Sequence, residues 1–392
     1  LAQDRYLQEQ GKAVMFINFW YPAEESKNLK DAPMHVRMLG QDFVLFRDSS
    51  GTAHCLSNVC VHRGGSLAHG KLKDDCIECP YHGWQFDGEG VCQRIPSMGP
   101  DAKMPNRAKI DSYPTVEKYG LIFAFLGDLP EQERPPIMEI KEWGEEGWRA
   151  THQRFDWAFD YKRSIENGLD MAHNEFVHTT HIFTAGDDNY EIPELELVES
   201  EWVTGFYNKV PAPSLPDEKM RKISGRDGVG TAEVGTGHHG CASLWTFIHP
   251  TPEMKIHQYA FEAPVDESST RIYLVNLRNF MADAENDKRM MERNTFVALQ
   301  DRDVLSELRP VLTPRTNTKE VFVPADKPIS RYRDLIKKWQ MRGWRIDSDE
   351  VTRNQGRVAY AVPSPARRQS KGWTLDPIPL IAPAQEQQVA AE

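Results

Sequence analysis

The stretch Cys60-Val-His62, followed by sixteen residues and then Cys79-Pro-Tyr-His82, decides how this chain is read. Two Cys/His pairs of like composition stand at the two ends of one loop. Two thiolates and two imidazoles make a four-ligand set, the set used by a 2Fe-2S centre with both cysteines on one iron and both histidines on the other. Structural zinc also accepts Cys2His2 ligation, but it favours longer spacers and a downstream His-x3-5-His pair. The Cys-x-His spacer is too short for that pattern. Gly64, Gly65 and Gly83 let backbone N–H groups approach the sulfurs, and Pro80 stiffens the second loop. Ligand type and softness therefore favour the iron–sulfur reading over zinc.

At these residues the chain resembles the Rieske domain, whose hallmark is Cys-x-His, a spacer of about this length, and Cys-x2-His. The resemblance implies a 2Fe-2S cluster on Cys60, His62, Cys79 and His82. Four cysteines remain of the six: Cys55, Cys76, Cys92 and Cys241. They are expected to be small buried thiols in a reducing compartment. Cys76-x2-Cys79 mimics a redox CxxC, but Cys79 serves the cluster better and no strand-to-helix start surrounds the pair.

With 392 residues the chain should hold two domains, or one large one. A formal charge of −11 argues against an electrostatic grip on nucleic acid or anionic lipid. No apolar run approaches the ~18 residues of a membrane span, and no signal-peptide pattern opens the sequence. The expectation is a cytoplasmic enzyme that uses neither nucleic acid nor membrane.

The predicted fold class is α+β. Residues 1–35 read as an entry helix and strand packing on the body. Residues 36–135 follow as a small antiparallel β domain holding the cluster, with short strands at Val36 to Leu39 and Phe43 to Phe46. The Asp87-Gly-Glu-Gly90 stretch signals a hairpin, and Leu121 to Leu126 a buried strand. Pro130 to Trp148 reads as a linker. Residues 136–362 mix strands near 194–203, 242–249, 256–263 and 271–279 with helices around 156–181 and 282–310. That pattern suggests an antiparallel sheet covered by helices. Residues 184–240, rich in Gly, Asp and Pro, read as a mobile region bordering a pocket. Residues 363–392 read as an arm or tail.

The second chemical candidate is Glu166-Asn167-Gly-Leu-Asp170-Met-Ala-His173-Asn-Glu-Phe-Val-His178. A regular helix turns ~100° per residue, so His173 and His178 would stand about 140° apart. To share one ion, the helix must bulge or end between them. On spacing alone a capping and an exposed histidine remain an alternative. Two histidines and one carboxylate with open positions form the facial triad of non-haem Fe(II) oxygenases. The carboxylate could be the local Asp170, or the distant Asp301 or Asp303.

From roughly residue 15 to 340 the chain resembles the catalytic subunit of the Rieske non-haem iron ring-hydroxylating oxygenases, whose Asp-x2-His-x4-His motif matches Asp170, His173 and His178. The resemblance implies that His173 and His178 bind a mononuclear Fe(II). It makes Asp170 a hydrogen-bonded bridge between an iron-bound histidine and a cluster histidine, expected to be His82, of a neighbouring subunit. It places Asn167 beside the iron. The third ligand falls late in the family, often in a Glu/Gln-Asp pair, so Asp301 in Gln300-Asp301 is chosen over Asp303. His181 is left as a pocket residue. His238, His239, His249 and His257 are read as sheet or loop histidines.

The resemblance further implies a terminal oxygenase that spends O2 and electrons on an aromatic or other apolar substrate, by dioxygenation or by monooxygenation including demethylation. No Gly-rich dinucleotide fingerprint sits at a strand-to-helix turn, so NAD(P)H would be read by a separate reductase, directly or through a ferredoxin. The long C-terminal region is more like the branch that forms homotrimers without a β subunit. Phe176, Phe183, Leu244, Trp245, Phe247, Tyr259 and Phe296 are pocket candidates. The alternatives are a Rieske electron carrier with a non-catalytic ligand-binding second domain, and a structural zinc protein.

Overall fold

The computed structural model describes residues 14–178, 191–212, 230–314 and 317–383, together with 218, 221, 222, 225 and 228. The chain divides into two compact units. The first is made of residues 14–136, 265–267 and 334–383; the second is made of the other described residues between 137 and 333.

The first unit is built from short antiparallel strands. β1 (Phe19–Glu25) pairs with β11 (Leu121–Leu126), which also pairs with β10 (Thr115–Lys118). All six side chains of β11 are buried, as its unbroken apolar run requires of a central strand. A second sheet runs β2 (Met34–Met38), β3 (Gln41–Arg47), β4 (Ala53–Ser57), β9 (Ser112–Tyr113). A third, of β5 (Lys71–Lys73), β6 (Cys76–Glu78), β7 (Gln85–Phe86) and β8 (Cys92–Arg94), closes over the Asp87–Gly90 turn. Cys60 lies beyond the end of β4 and Cys79 in the loop from β6 to β7. Both are packed in one core with Phe46, Leu56, Ile77 and Phe86.

Residues 334–362, expected in the second domain, group instead with the first unit. Trp339 is fully buried edge-on to Phe16 and Phe19, and Trp344 packs on Phe19. The arm beyond residue 362 is tied to the same unit as far as it is described. Asp111, wholly buried, accepts from the Ser364 N–H and hydroxyl and from two nitrogens of Arg367 at 2.7 Å. Tyr113 donates to the Val362 carbonyl. The entry helix expected near the start of the sequence and the final nine residues lie outside the described residues.

The second unit is a seven-stranded antiparallel sheet with helices on one face. Its strands are β12 (Arg149–Trp157), β13 (Leu197–Glu199), β14 (Val203–Ala212), β15 (Gly230–His239), β16 (Ser243–His249), β17 (Ile256–Pro264) and β18 (Thr270–Arg278). Their spatial order is β12-β18-β17-β16-β15-β14-β13. The Gly-rich region read as mobile contains β13 and two of the longest strands, β14 and β15; about half of the rest lies outside the described residues. The glycines make room for rings: a Cβ on Gly205 or Gly237 would stand 2.5 Å from Trp245, and one on Gly235 the same distance from Tyr207.

Helix α1 (Tyr161–Leu169) is capped by Asp160, whose carboxylate accepts from the Lys162 N–H. It is held from behind by Arg333, which makes a bidentate pair with Glu166 at 2.7 Å and also reaches Glu320. After the single turn α2 (Asn174–Val177), the long α3 (Asp287–Glu307) begins at Asp287, gripped by Arg149 and by the fully buried Arg278.

Asp111→Ala strands the Arg367 guanidinium and should cost about 3–5 kcal/mol. Chemical denaturation measures the loss, and limited proteolysis should show new cleavage beyond residue 362.

Candidate metal centres

The two cluster loops have the same backbone design. In the first, the Cys60 N–H donates to the Gly65 carbonyl and the Gly64 N–H to the Cys60 carbonyl; in the second, Cys79 N–H donates to Trp84 and Gly83 N–H to Cys79, all at 2.8–3.0 Å. Gly64 and Gly83 occupy matching left-handed conformations, φ +71° and +70°. The loops bring Cys60 and Cys79, both buried, together with the His62 and His82 rings, whose centroids are 4.3 Å apart. Trp84 stacks flat on His62.

The mononuclear candidate depends on where α1 stops. The helix expected to continue past His178 ends at Leu169, and Asp170 turns extended (φ −86°, ψ 125°). His173 and His178 then flank the four-residue turn α2, with His178 leaving it at φ −98°, ψ 70°. The break precedes His173, and this brings together rings that a regular helix would hold apart, with centroids 5.2 Å apart. Ligand atoms of His173, His178 and Asp301 all lie within 4.8 Å of one another.

Each imidazole is oriented by its far nitrogen. His173 Nδ1 donates to the Asp170 carbonyl at 2.8 Å and His178 Nδ1 to Gln300 Oε1 at 3.1 Å. Their Nε2 atoms then face Asp301 Oδ1 at 3.6 and 3.3 Å, and Asn167 donates to that same oxygen at 3.1 Å. Fixing the tautomer through the other ring nitrogen is how metal-binding histidines are usually held. Burial pulls His173 below the usual histidine range, against the attraction of Asp301. For His178 burial acts the same way, but hydrogen bonding to Asp301 wins and raises it. Asp170 is raised by burial; its Oδ1 accepts from the Ala172 N–H, and its Oδ2 lies 3.8 Å from His173 Nδ1.

Above this triad lies a cavity of about 240 Å³, between α1, α3 and the helix-bearing face of the sheet. An apolar cavity of about 150 Å³ already accepts benzene, so this one has room for a substituted ring. Asn294, Val297, Ala298, Asp301 and Leu305 line it at helical spacing from α3, and Leu244, Thr246 and Ile248 at strand spacing from β16.

Of the described pocket candidates, Leu244 alone lines it, and none of the aromatic ones does. Trp245, Phe247 and Tyr259 fall on the opposite face, packed in tilted and edge-on contacts with one another and with Tyr207, because neighbouring residues of a strand point to opposite sides. Phe176 and Phe296 are exposed, and Phe183 and His181 lie outside the described residues. Asp303 is turned outward to Arg302. His249 and His257 bond each other at 2.9 Å, and His257 also meets Glu142. In the sequence Gln300 serves only as context for Asp301; its hydrogen bond to His178, across 122 positions, leaves no trace in spacing.

The family model of the Rieske [2Fe-2S] domain matches residues 19–116, and that of the vanillate O-demethylase oxygenase C-terminal domain matches residues 157–342. The two together cover well over half of the chain. The chain belongs to the Rieske non-haem iron oxygenases.

Among its relatives, the iron-sulfur subunit of a toluene-4-sulfonate monooxygenase system from Comamonas testosteroni is 25% identical, covering 82% of this chain and 96% of that protein. Chlorophyllide a oxygenase of Chlamydomonas reinhardtii is 33% identical over 50% of this chain and 29% of its own length. In seven relatives matched at 30–37% identity, the match reaches less than half of the relative's length. The fold is shared with the QL mutant of NdmA from Pseudomonas putida CBB5 with caffeine (TM-score 0.69, 23% identity, 83% of this chain and 91% of that one). It is shared too with dicamba monooxygenase bound to dicamba (TM-score 0.65, 21% identity, 83% and 98%).

The donor atoms of this Rieske oxygenase fit the two iron groups of the family. His62 Nδ1 is buried without a hydrogen-bond partner among the described residues, as an atom reserved for a metal would be. A Cβ on Gly65 would stand 3.0 Å from Cys79 Sγ, so this glycine keeps the sulfur's surroundings open. Burial pushes the Cys60 thiol up to about 12, with Cys79 adding to the rise; a bound cation supplies what the thiolate form lacks. Asp301 and the two oriented imidazoles make a two-histidine, one-carboxylate donor set suited to ferrous iron.

Gln300→Leu removes the acceptor that orients His178. Mononuclear iron affinity should fall about 10–100-fold while the 2Fe-2S absorption is unchanged, read by iron titration of chelator-treated protein.

Proposed function

We propose that this chain is the terminal oxygenase component of a multi-protein system. It would take electrons from a separate ferredoxin or NAD(P)H-dependent reductase and use O2 to hydroxylate or demethylate an aromatic or other apolar substrate. The observation that carries this reading is the triad of His173, His178 and Asp301 opening onto an apolar cavity, in a chain that also holds cluster ligands. When bound, the cluster supplies one-electron transfer and the ferrous centre supplies dioxygen activation.

The chain's own residues do the rest. The Asp170 carbonyl and Gln300 hold the imidazoles, Asn167 steadies Asp301 Oδ1, and the apolar walls contributed by α3 and the sheet exclude water from the substrate. Asp170 has a carboxylate oxygen turned away from the Ala172 N–H, and we assign it to bridge His173 and a cluster histidine, His82, of a neighbouring copy in a homotrimer. A head-to-tail ring suits transfer between neighbours.

Purified protein should contain about three irons and two sulfides per chain. Asp301→Ala should retain the cluster, drop to about two irons, and lose substrate-triggered oxygen uptake by roughly 100-fold or more. Two irons and no oxygen uptake in the native protein would instead identify an electron carrier with a ligand-binding second domain. Asp170→Asn should keep both metals yet slow reoxidation of the reduced cluster about 10–100-fold in stopped-flow absorbance; native rates in that variant would remove the bridge.

A further inference from the structure

Two ionisable side chains that line the cavity, Glu262 and Arg293, have no part in the proposed chemistry. Glu262, on β17, is 1% exposed and lines the same space as the triad. It follows Gln258 and Ala260 at strand spacing, so it stands on the cavity face of the sheet. The other ionisable groups that line the cavity, Asp170, His173, His178, Arg293 and Asp301, come from the helices and the turn after α1. Among the described residues, Glu262 is the only such group contributed by the sheet.

Only half of this carboxyl is accounted for. Ser164 of α1 donates to Oε1 at 2.7 Å, whereas Oε2 is buried and has no hydrogen-bond partner among the described residues. Holding α1 to the sheet requires Oε1 alone. A buried polar atom left unpaired costs about 1–3 kcal/mol, so a purely packing role would favour an apolar residue here.

We propose that Glu262, positioned by Ser164, determines substrate specificity by hydrogen-bonding through Oε2 to one oxygen of an otherwise apolar ring compound. This deepens the oxygenase reading and rests on it. The form of the carboxyl is consistent: burial pushes it up to about 8, against the hydrogen bond from Ser164, with the Asp160 charge adding to the rise. Burial therefore favours the neutral acid over the carboxylate. With Ser164 donating to Oε1, the proton sits on Oε2. The substrate class is thus an aromatic ring carrying a neutral acceptor, a ketone, ester or ether oxygen, rather than an ammonium group or a bare hydrocarbon.

The test uses iron-loaded, full-length protein under anaerobic conditions and measures dissociation constants by calorimetry, so that turnover is not needed. Acetophenone, ethylbenzene and benzylamine are the probes. Native protein should bind acetophenone about tenfold more tightly than ethylbenzene. Glu262→Gln, which keeps a donor of similar shape, should preserve that preference, and Glu262→Leu should abolish it. Equal binding of the two neutral probes by native protein, an unchanged ratio in Glu262→Leu, or preference for benzylamine overturns the proposal. If Glu262→Leu does not fold, the native ratio and the Glu262→Gln ratio decide alone. Binding without discrimination, with ring-triggered oxygen uptake in a parallel aerobic assay, removes the role of Glu262 and leaves the oxygenase standing. Binding of no ring compound, with no oxygen uptake, removes both.

Discussion

One carboxylate oxygen, Asp301 Oδ1, has three nitrogen atoms within 3.1–3.6 Å, from Asn167, His173 and His178. Much of the second unit can be read as the apparatus that makes this meeting possible. The oxygen rides on a 21-residue helix whose first turn is fixed to the sheet by Arg149 and Arg278. The imidazoles come from a chain that leaves its helix one residue after Leu169, and that helix is clamped from behind by Arg333 and Glu166. Charged pairs thus hold the supports, while the space in front of the triad is kept largely apolar. An interaction between charges is stronger where water is excluded, so the division serves both stability and chemistry.

The cluster end of the molecule was open to reading from the sequence because its chemistry is local. Cys60, His62, Cys79 and His82 lie within 23 positions, and their glycines announce turns that few other residues can make. The Asp170, His173 and His178 motif was equally visible, and so was the need for a helix break, although the break falls before His173 rather than after it. Asp301 depended on family context, since its distance to the histidines is set by α3 crossing α1, which no short-range pattern encodes. Gln300 and Glu262 escaped for the same reason: each acts through a partner more than ninety positions away.

Other readings failed for reasons that are themselves physical. The Gly-rich segment suggested a mobile region bordering a pocket; Phe206, Val234 and Thr236 do line the cavity, but β14 and β15 are regular strands in which the space of the missing side chains is filled by Trp245 and Tyr207. The aromatic residues suggested a pocket, but in strands the choice of face depends on a one-residue step that bulk alone does not reveal. The C-terminal stretch, by contrast, keeps its reading as an arm as far as it is described: Asp111 accepts from Ser364 and Arg367, and Tyr113 donates to the Val362 carbonyl.

The alternation in β16 and β17 has an evolutionary consequence. Residues such as Leu244, Thr246, Gln258 and Ala260 meet the cavity, while Trp245, Phe247 and Tyr259 form an aromatic layer on the reverse side. What the enzyme accepts and what keeps its sheet intact are therefore written on opposite sides of the same strands. A lineage can redraw the first by changing every other residue and leave the second untouched, so a single scaffold can diversify its chemistry without first becoming unstable.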